Sequence, residues 1–468
     1  MSLQGRLNGG ESFDDPLALQ GRIGIAGSDR PIDRFTELRA ALHNACIAKV
    51  GPELIGTETD PETLRARVRE VVADELGRHS ERLTAEERTQ LVADVVDDVL
   101  GYGPIDRFVR DDSVTEIMVN GPDQVFVERG GLLEHTHARF ADDEHVMRVI
   151  DRIVSAVGRR IDEASPMVDA RLPDGSRVNA IIPPLALQGP VLTIRKFSAE
   201  ALSAADLVLL GTLSPELVDV LHGAVAGKLN VLISGGTGAG KTTLLNVLSS
   251  FIPDGERIIS IEDAAELKLQ QPHVVSLESR PANIEGQGEV RIRDLVRNAL
   301  RMRPDRIIVG EVRGAETVDM LQAMNTGHEG SMTTIHANSP RDALSRVETL
   351  VLTAGVDLPL RAIREQIASA FDIVVQLARL VDGSRRVTHV TEVLRMESDV
   401  VTLQDLFVAR PSQSAGALLE PIRPTGIRPH FVDKLKASGV KLTPELFDPL
   451  AAELRLVANG NGNGRAVR

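Results

Sequence analysis

The sequence predicts an α/β protein: a parallel-sheet domain in the C-terminal half, preceded by an antiparallel α+β segment and, before that, a helical bundle. Three observations carry this. Beyond residue 213, buried apolar runs alternate with amphipathic helical runs, the pattern of βαβ units. Between residues 101 and 197, short alternating runs such as "VTEIMVNG", "QVFVERGG" and "PVLTIRKF" are punctuated by Asn-Gly and Asp-Gly turns. Between residues 31 and 100, apolar positions recur at helical spacing.

Taken in order, residues 1–30 are polar, Gly-rich and aperiodic, and read as a flexible leader. In residues 31–100, "DPETLRARVREVVADEL" places Leu64, Val68, Val72 and Leu76 on one face, with Asp60-Pro61 as a start signal. Thr84 and Glu87 form a capping-box pattern ahead of Leu91, Val92, Val95, Val96 and Val99. Residues 101–197 form the α+β segment, interrupted by one helical run, "DDEHVMRVIDRIVSAVGRR". Residues 198–212 read as a linker.

In residues 213–410 the expected strands are "LNVLIS" (229–234), "ERIISI" (256–261), "DRIIVG" (305–310) and "SMTTIH" (331–336), with helices "KTTLLNVLSSFI", "RIRDLVRNALRM" and "AETVDMLQAMNT". A hairpin around Asp382-Gly383 closes the domain. Residues 411–468 are a Pro, Gly and Ser-rich tail with short helices and a disordered end.

The 468 residues carry 53 Lys and Arg against 67 Asp and Glu, a net charge of −14, which opposes broad tracking of a phosphate backbone. No Trp, one Tyr and 3% aromatics leave few platforms for stacking bases, so no specific nucleic acid is expected. A single cysteine, Cys46, excludes an intramolecular disulfide and any multi-cysteine zinc site, and fits a reducing compartment. No stretch has the ~20 apolar residues of a membrane span, nor does the N-terminus read as a signal peptide.

The motif with the most chemistry is "GGTGAGKT": Gly235, Gly236, Thr237, Gly238, Ala239, Gly240, Lys241 and Thr242, followed by Thr243. It fits G-x-x-x-x-G-K-[ST] between a strand and a helix. Glycines let consecutive N–H groups curl around phosphate oxygens, Lys241 reaches the β and γ phosphates, and the Thr242 hydroxyl is offered to Mg²⁺. "RIIVGE" is an apolar strand running into Glu311, where a second acid of a phosphate site belongs, although Gly310 stands where an aspartate is usual. "IEDAAEL" places Glu262, Asp263 and Glu266 at another strand end, where a carboxylate can orient water. The bland reading of these acids is a solvated helix start.

His328 and His336 stand eight apart, a spacing that fits no metal motif, with no Cys or third His beside them. His336 falls at the end of a strand beside the phosphates, and His328 in the Gly-flanked loop before it. "VRIRDLVRNALRMRPDR" carries Arg291, Arg293, Arg297, Arg301, Arg303 and Arg306, readable as a subunit interface, a solvated face or, last, a nucleic-acid contact.

In their order, "GGTGAGKT", "IEDAAEL", "RPDRIIVGEVRG" and "TGHEGSMTTIHANSPRDAL" resemble the secretion ATPases of the type II/type IV superfamily. The upstream blocks "GYGPIDRFVRDDSVTEIMVNGPDQVFVERGG" and "VDARLPDGSRVNAI" are similar to its CpaF/TadA-like branch, the Tad (Flp) pilus assembly ATPases. That resemblance implies a homohexameric ring, each protomer pairing a PAS-like N-terminal domain with a RecA-like motor and holding ATP between them. It implies Glu266 as the base, Glu311 as an atypical Walker B acid holding Mg²⁺ with Thr242, directly or through water, and His328 and His336 as the His box, with His336 sensing the γ-phosphate. Arginines of the N-terminal domain would complete the site, from Arg195, Arg171 and Arg177. The partners implied are inner-membrane platform proteins, at the inner face of the cytoplasmic membrane. Two rivals remain at this point: a DNA-directed RecA-like motor and a P-loop kinase, the latter lacking any acceptor lid between residues 262 and 311.

Overall fold

A computed structural model describes residues 36–55, 61–79, 83–196, 202–282, 287–412 and 418–460. The expected leader and the last residues of the tail lie outside the described residues. The chain divides into two compact units, Met1–Asp106 and Arg107–Arg468.

In the first unit, α1 (Thr36–Ile55), α2 (Pro61–Arg78) and α3 (Ala85–Leu100) close on one apolar core. Leu42, Val68, Val72, Val95 and Val99 have no exposed surface, and Cys46 fills a buried place among them. The Thr84 hydroxyl accepts from the Glu87 amide while the Glu87 carboxylate accepts from the Thr84 amide, which fixes the start of α3. Asp98 is buried in this bundle, with Arg39 at 3.8 Å.

The boundary falls within the short α4 (Asp106–Arg110), and the second unit contains two sheets. The smaller is β1 (Val114–Asn120), β2 (Val125–Arg129), β3 (Leu132–His135), β4 (Met167–Arg171), β5 (Arg177–Ile181) and β6 (Val191–Arg195), in the order β3-β2-β1-β6-β5-β4. All its pairs are antiparallel. Alternation works as the period of two requires: Ile117, Val119, Val125, Val127, Val178, Leu192 and Ile194 are buried, as are Val146, Val149, Ile150 and Ile153 of α5 (Asp143–Ala156). The other face is mixed, with Phe126, Met118, Val191, Ile181 and Met167 on it beside a charged row. Its register sets Glu128 opposite Glu116, Glu116 opposite Arg195, Arg195 opposite Arg177 and Arg177 opposite Arg171. A single row of two acids and three arginines therefore crosses β2, β1, β6, β5 and β4 at intervals of ~4.8 Å.

The stretch expected as a linker contains a helix, α6 (Ala204–Leu209), because Ser203 and Asp206 supply a complete capping box; α7 (Pro215–Ala226) follows. The larger sheet comprises β7 (Val231–Gly235), β8 (Ile258–Glu262), β9 (Val274–Glu278), β10 (Arg306–Val309), β11 (Met332–Ile335), β12 (Ile373–Arg379), β13 (Arg385–Glu397), β14 (Val400–Val408) and β15 (Arg423–Pro424). Their order is β15-β14-β13-β12-β7-β11-β10-β8-β9. From β12 to β9 every pairing is parallel. Buried on both faces, β7, β8, β10 and β11 read as continuous apolar runs. Around them lie α8 (Lys241–Ser249), α9 (Ile292–Ala299), α10 (Glu316–Asn325), α11 (Pro340–Thr353) and α12 (Leu360–Ala370), with α13 (Phe431–Ala437) and α14 (Pro449–Gly460) in the tail.

Two features were not anticipated. β9 is short and only partly buried, so its sequence lacks a strong strand pattern. β12 is both one arm of the expected hairpin and the parallel neighbour of the P-loop strand, with Leu377 opposite Gly235. The arginine-rich run is partly absorbed by structure. Arg293 and Arg297 both donate to the buried Asp319, at 2.7 and 2.8 Å, and tie α9 to α10. Arg306 has no exposed surface and pairs with Glu256 while donating to the Gly330 carbonyl.

Candidate functional site

Parallel alignment brings five adjacent strand ends to one edge of the large sheet. In spatial order β12, β7, β11, β10 and β8 end at or just before Arg379, Gly235, His336, Glu311 and Glu262, the crevice where ligands bind open α/β sheets.

The P-loop leaves β7 and turns through Gly238 (φ +68) and Gly240 (φ +95) into α8, conformations open to glycine. Gly236, Thr237, Ala239, Thr242 and Thr243 lie along this loop and first turn, with Ala239 buried and the two threonines half-buried. Lys241 is buried. Its Nζ donates to the Gly235 and Gly236 carbonyls at 3.1 and 3.0 Å and lies 3.2 Å from His336 Nε2. Burial pushes the Lys241 pKa down to about 8, against the pull of Glu311. The site thus holds a cation that its own protein groups only partly compensate.

His336 Nε2 also lies 3.0 Å from Glu311 Oε1. Burial and Lys241 hold the imidazole below its usual pKa, which favours the neutral ring. Burial raises the Glu311 carboxyl, but Arg313, His336 and Lys241 outweigh it and the net shift is downward. Arg313 donates to Glu311 Oε2 at 2.7 Å and faces Asp263 at 3.6 Å. Glu311 Oε1 is buried and makes no hydrogen bond of good geometry. The Glu311 carboxylate and the half-buried Thr242 hydroxyl are both hard-oxygen donors, so the residues present fit Mg²⁺.

Glu262 closes the acidic end. Its buried carboxylate accepts from the Glu266 amide at 2.8 Å and the Leu267 amide at 3.1 Å, shaping the loop that carries Glu266. Burial raises its pKa to about 7 although these amides pull the other way. Gly310 explains the missing aspartate in "RIIVGE": a Cβ there would sit 2.9 Å from Glu262 Cγ. The Lys268 amide donates to Asn246 of α8, which anchors the same loop from the P-loop side.

The charged row of the small sheet runs along this edge. Arg177 Nη1 donates to Glu266 Oε1 at 3.0 Å, Arg171 lies 3.0 Å from Glu278 at the end of β9, and Glu128 lies 3.6 Å from Arg379 at the end of β12. Arg195, opposite Glu116 at 3.8 Å, is close enough to help lower the Lys241 pKa. All three sequence-selected arginines therefore stand in one row facing the site. Neighbouring like charges across strands are unfavourable, and Glu116, Glu266 and Glu278 offset them.

His328 stands apart from the other site residues. It precedes the N-terminal end of β11, whereas His336 follows the C-terminal end, so the length of the strand, ~13 Å, separates it from the P-loop edge. There it belongs to the turn after α10, with its amide donating to Ala323 O and its carbonyl accepting from Ser331.

Residues 98–414 match the family model described as type II/IV secretion system protein. The chain belongs to that family. Among other members of the type II/IV secretion family, a Mycobacterium tuberculosis protein named for conjugal transfer is 41% identical over 309 residues, 65% of this chain and 87% of the relative. The type IV secretion system protein VirB11 of Bartonella quintana is 33% identical over 325 residues, 61% of this chain and 90% of its own. The solved VirB11 ATPase from the Brucella suis type IV secretion system, in complex with sulphate, is 31% identical and covers 62% of this chain and 92% of that one. Its TM-score is 0.34, a loose superposition, so membership rests on sequence. The large sheet is a largely parallel α/β architecture with the P-loop at its edge.

Arg313, Arg379 and Arg385 were missed in the sequence. Arg313 stands two residues past Glu311 and could have been found there. The other two sit in the hairpin, whose contact with the P-loop depends on the unforeseen pairing of β12 with β7.

Proposed function

We propose that this chain is an ATPase that hydrolyses ATP to drive pilus assembly or protein secretion through a membrane platform, acting as a homohexamer of the Tad (Flp) type. The observation that carries the reading is convergence: Lys241, His336, Glu311 and Glu266 meet at one edge, with Arg177 of the small sheet already in contact. In this reading Lys241 leaves the Gly235 and Gly236 carbonyls for phosphate oxygens. Glu266 gives up Arg177 and orients the attacking water, and Arg177 turns to the charge of the leaving phosphoryl group. His336, neutral beside Lys241, reports the γ-phosphate. Thr242 and Glu311 would hold Mg²⁺, which supplies charge neutralisation at the phosphates. No helix among the described residues is long and apolar enough to cross a membrane, and the reading places the chain at the inner face of the cytoplasmic membrane, held by platform proteins.

The names of the relatives favour a second reading, a conjugation-type motor directed at DNA. ATP turnover tests both. Lys241→Ala and Glu266→Gln should abolish it, and intact turnover in either would sink the assignment. Stimulation by single-stranded DNA selects the second reading, whereas stimulation by lipid or platform protein selects the first.

A further inference from the structure

We infer that Arg379 and Arg385 form an additional phosphate-binding element for the nucleotide, and that Glu128 is the resting counter-ion which the nucleotide displaces from Arg379. This rests on the proposal that the P-loop binds a nucleoside di- or triphosphate, and deepens it.

The two arginines are the last antiparallel pair before the β12–β13 turn. Directly opposed residues of a strand pair emerge on the same face, so both guanidinium groups head the same way. That way is the P-loop. Arg385 Nε donates to the Gly238 carbonyl at 2.9 Å, and its Cδ lies 3.3 Å from where a Cβ on Gly240 would stand. Arg379 Nη1 lies 3.1 Å from a Cβ position on Gly238, and its Nη2 donates to the Gly131 carbonyl in the β2–β3 turn. Glycine at 238 and 240 thus admits the arginines as well as shaping the loop.

The charges do not balance locally. Two guanidinium groups meet one ion-paired carboxylate, Glu128, and that at 3.6 Å without a hydrogen bond, while Glu116 attracts Arg379 only from farther off. Glu128 is itself committed, since its Oε1 accepts from the Thr115 hydroxyl at 3.1 Å. Two opposed arginines beside a phosphate-shaped loop lack an anion, and a phosphate oxygen offers the charge-assisted, planar recognition that guanidinium groups favour. Arg385 acts by holding the Gly238 carbonyl outward, leaving the loop amides directed inward. Arg379 acts by exchange, leaving Glu128 for phosphate, so loading the site loosens the hold of the β2–β3 turn on the end of β12.

Exchange makes an unusual demand: removing an acid should improve binding of an anion through one named arginine. The test is calorimetric titration of the full chain with Mg-ADP. Arg379→Ala should raise Kd about tenfold, Glu128→Gln should lower it several-fold, and Glu128→Gln should do nothing when Arg379 is already alanine. Tighter binding cannot come from misfolding, which keeps the Glu128 variant informative. An Arg379→Ala Kd equal to wild type, or tightening by Glu128→Gln that persists without Arg379, overturns the inference. Lys241→Ala separates the two levels. If it binds Mg-ADP normally the nucleotide reading fails, whereas Lys241-dependent binding that ignores Arg379 overturns only the arginine pair.

Discussion

Arg177 of the small sheet donates a hydrogen bond to Glu266 of the large-sheet edge at 3.0 Å, so the carboxylate we propose to orient water is held by an arginine eighty-nine residues earlier in the chain. The pair is half-exposed, so its strength is modest, and its consequence is positional rather than a matter of stability. Arg177→Ala should leave Mg-ADP affinity within about threefold while turnover falls by ~10³. Steady-state kinetics with separate kcat and KM decide it: a rise in KM alone would reduce Arg177 to a binding residue.

The two histidines should part company. His336 touches Lys241 and Glu311, and His336→Ala should cost about 10² in kcat with nucleotide still bound. His328 lies at the opposite end of β11, and His328→Ala should turn over ATP normally. Equal losses in both variants would contradict the polarity of the strand.

Gly310 is small because Glu262 packs on it. In Gly310→Ala the new methyl, 2.9 Å from Glu262 Cγ, should displace the carboxylate that accepts from the Glu266 and Leu267 amides. The expected cost is ~1–3 kcal/mol in stability and a larger proportional loss of turnover. Thermal unfolding beside kcat separates the two, and wild-type turnover would contradict the anchoring role of Glu262.

Buried charge predicts a sharp contrast between two glycines. Gly327 and Gly330 both have positive φ, but a Cβ at 330 would stand 1.8 Å from Arg306 Nη1, whereas at 327 nothing lies within 4 Å. Gly327→Ala should cost ~1 kcal/mol of backbone strain, and Gly330→Ala should cost ~3–5 kcal/mol by breaking the buried Arg306–Glu256 pair. Chemical denaturation measures both, and similar midpoints would overturn the assignment of Arg306 as a structural residue.

In the helical unit, burial raises the Asp98 pKa from 3.8 to about 7, with Arg39 opposing and Asp94, Asp97 and Asp106 reinforcing the shift. Between pH ~4 and ~7 the native bundle keeps a proton that the unfolded chain has lost, so stability falls as pH rises through that window. Asp98→Asn should abolish the slope. Hydrogen exchange of α1–α3, corrected for intrinsic rates, should show protection declining by up to about tenfold per pH unit in wild type and flat in the variant.

Much of the large sheet was legible because a doubly covered parallel strand announces itself as an apolar run, and its functional residue follows at the run's end. The placement of Gly235, Glu311 and His336 at or just past strand ends was read that way. The capping boxes at Thr84 and Ser203 are equally local, although the helix that Ser203 starts was taken for linker. What could not be read was sideways adjacency. Arg171, Arg177 and Arg195 stand on three successive strands, but Glu116 and Glu128 join their row only because β6 pairs with β1, far apart in sequence. Likewise Arg379 and Arg385 read as the close of a hairpin, and only the alignment of β12 with β7 turns them toward the P-loop.

The row Glu128, Glu116, Arg195, Arg177, Arg171 has one further property. Its teeth are evenly pitched at the strand spacing, ~4.8 Å. Were the small sheet to slide along the edge of the large one by one tooth, Glu266 would meet Arg195 or Arg171 in place of Arg177. Each step would restore an arginine to the same acid. Three successive arginines on one face thus stand one strand spacing apart, with the acids Glu116 and Glu128 closing the row at one end.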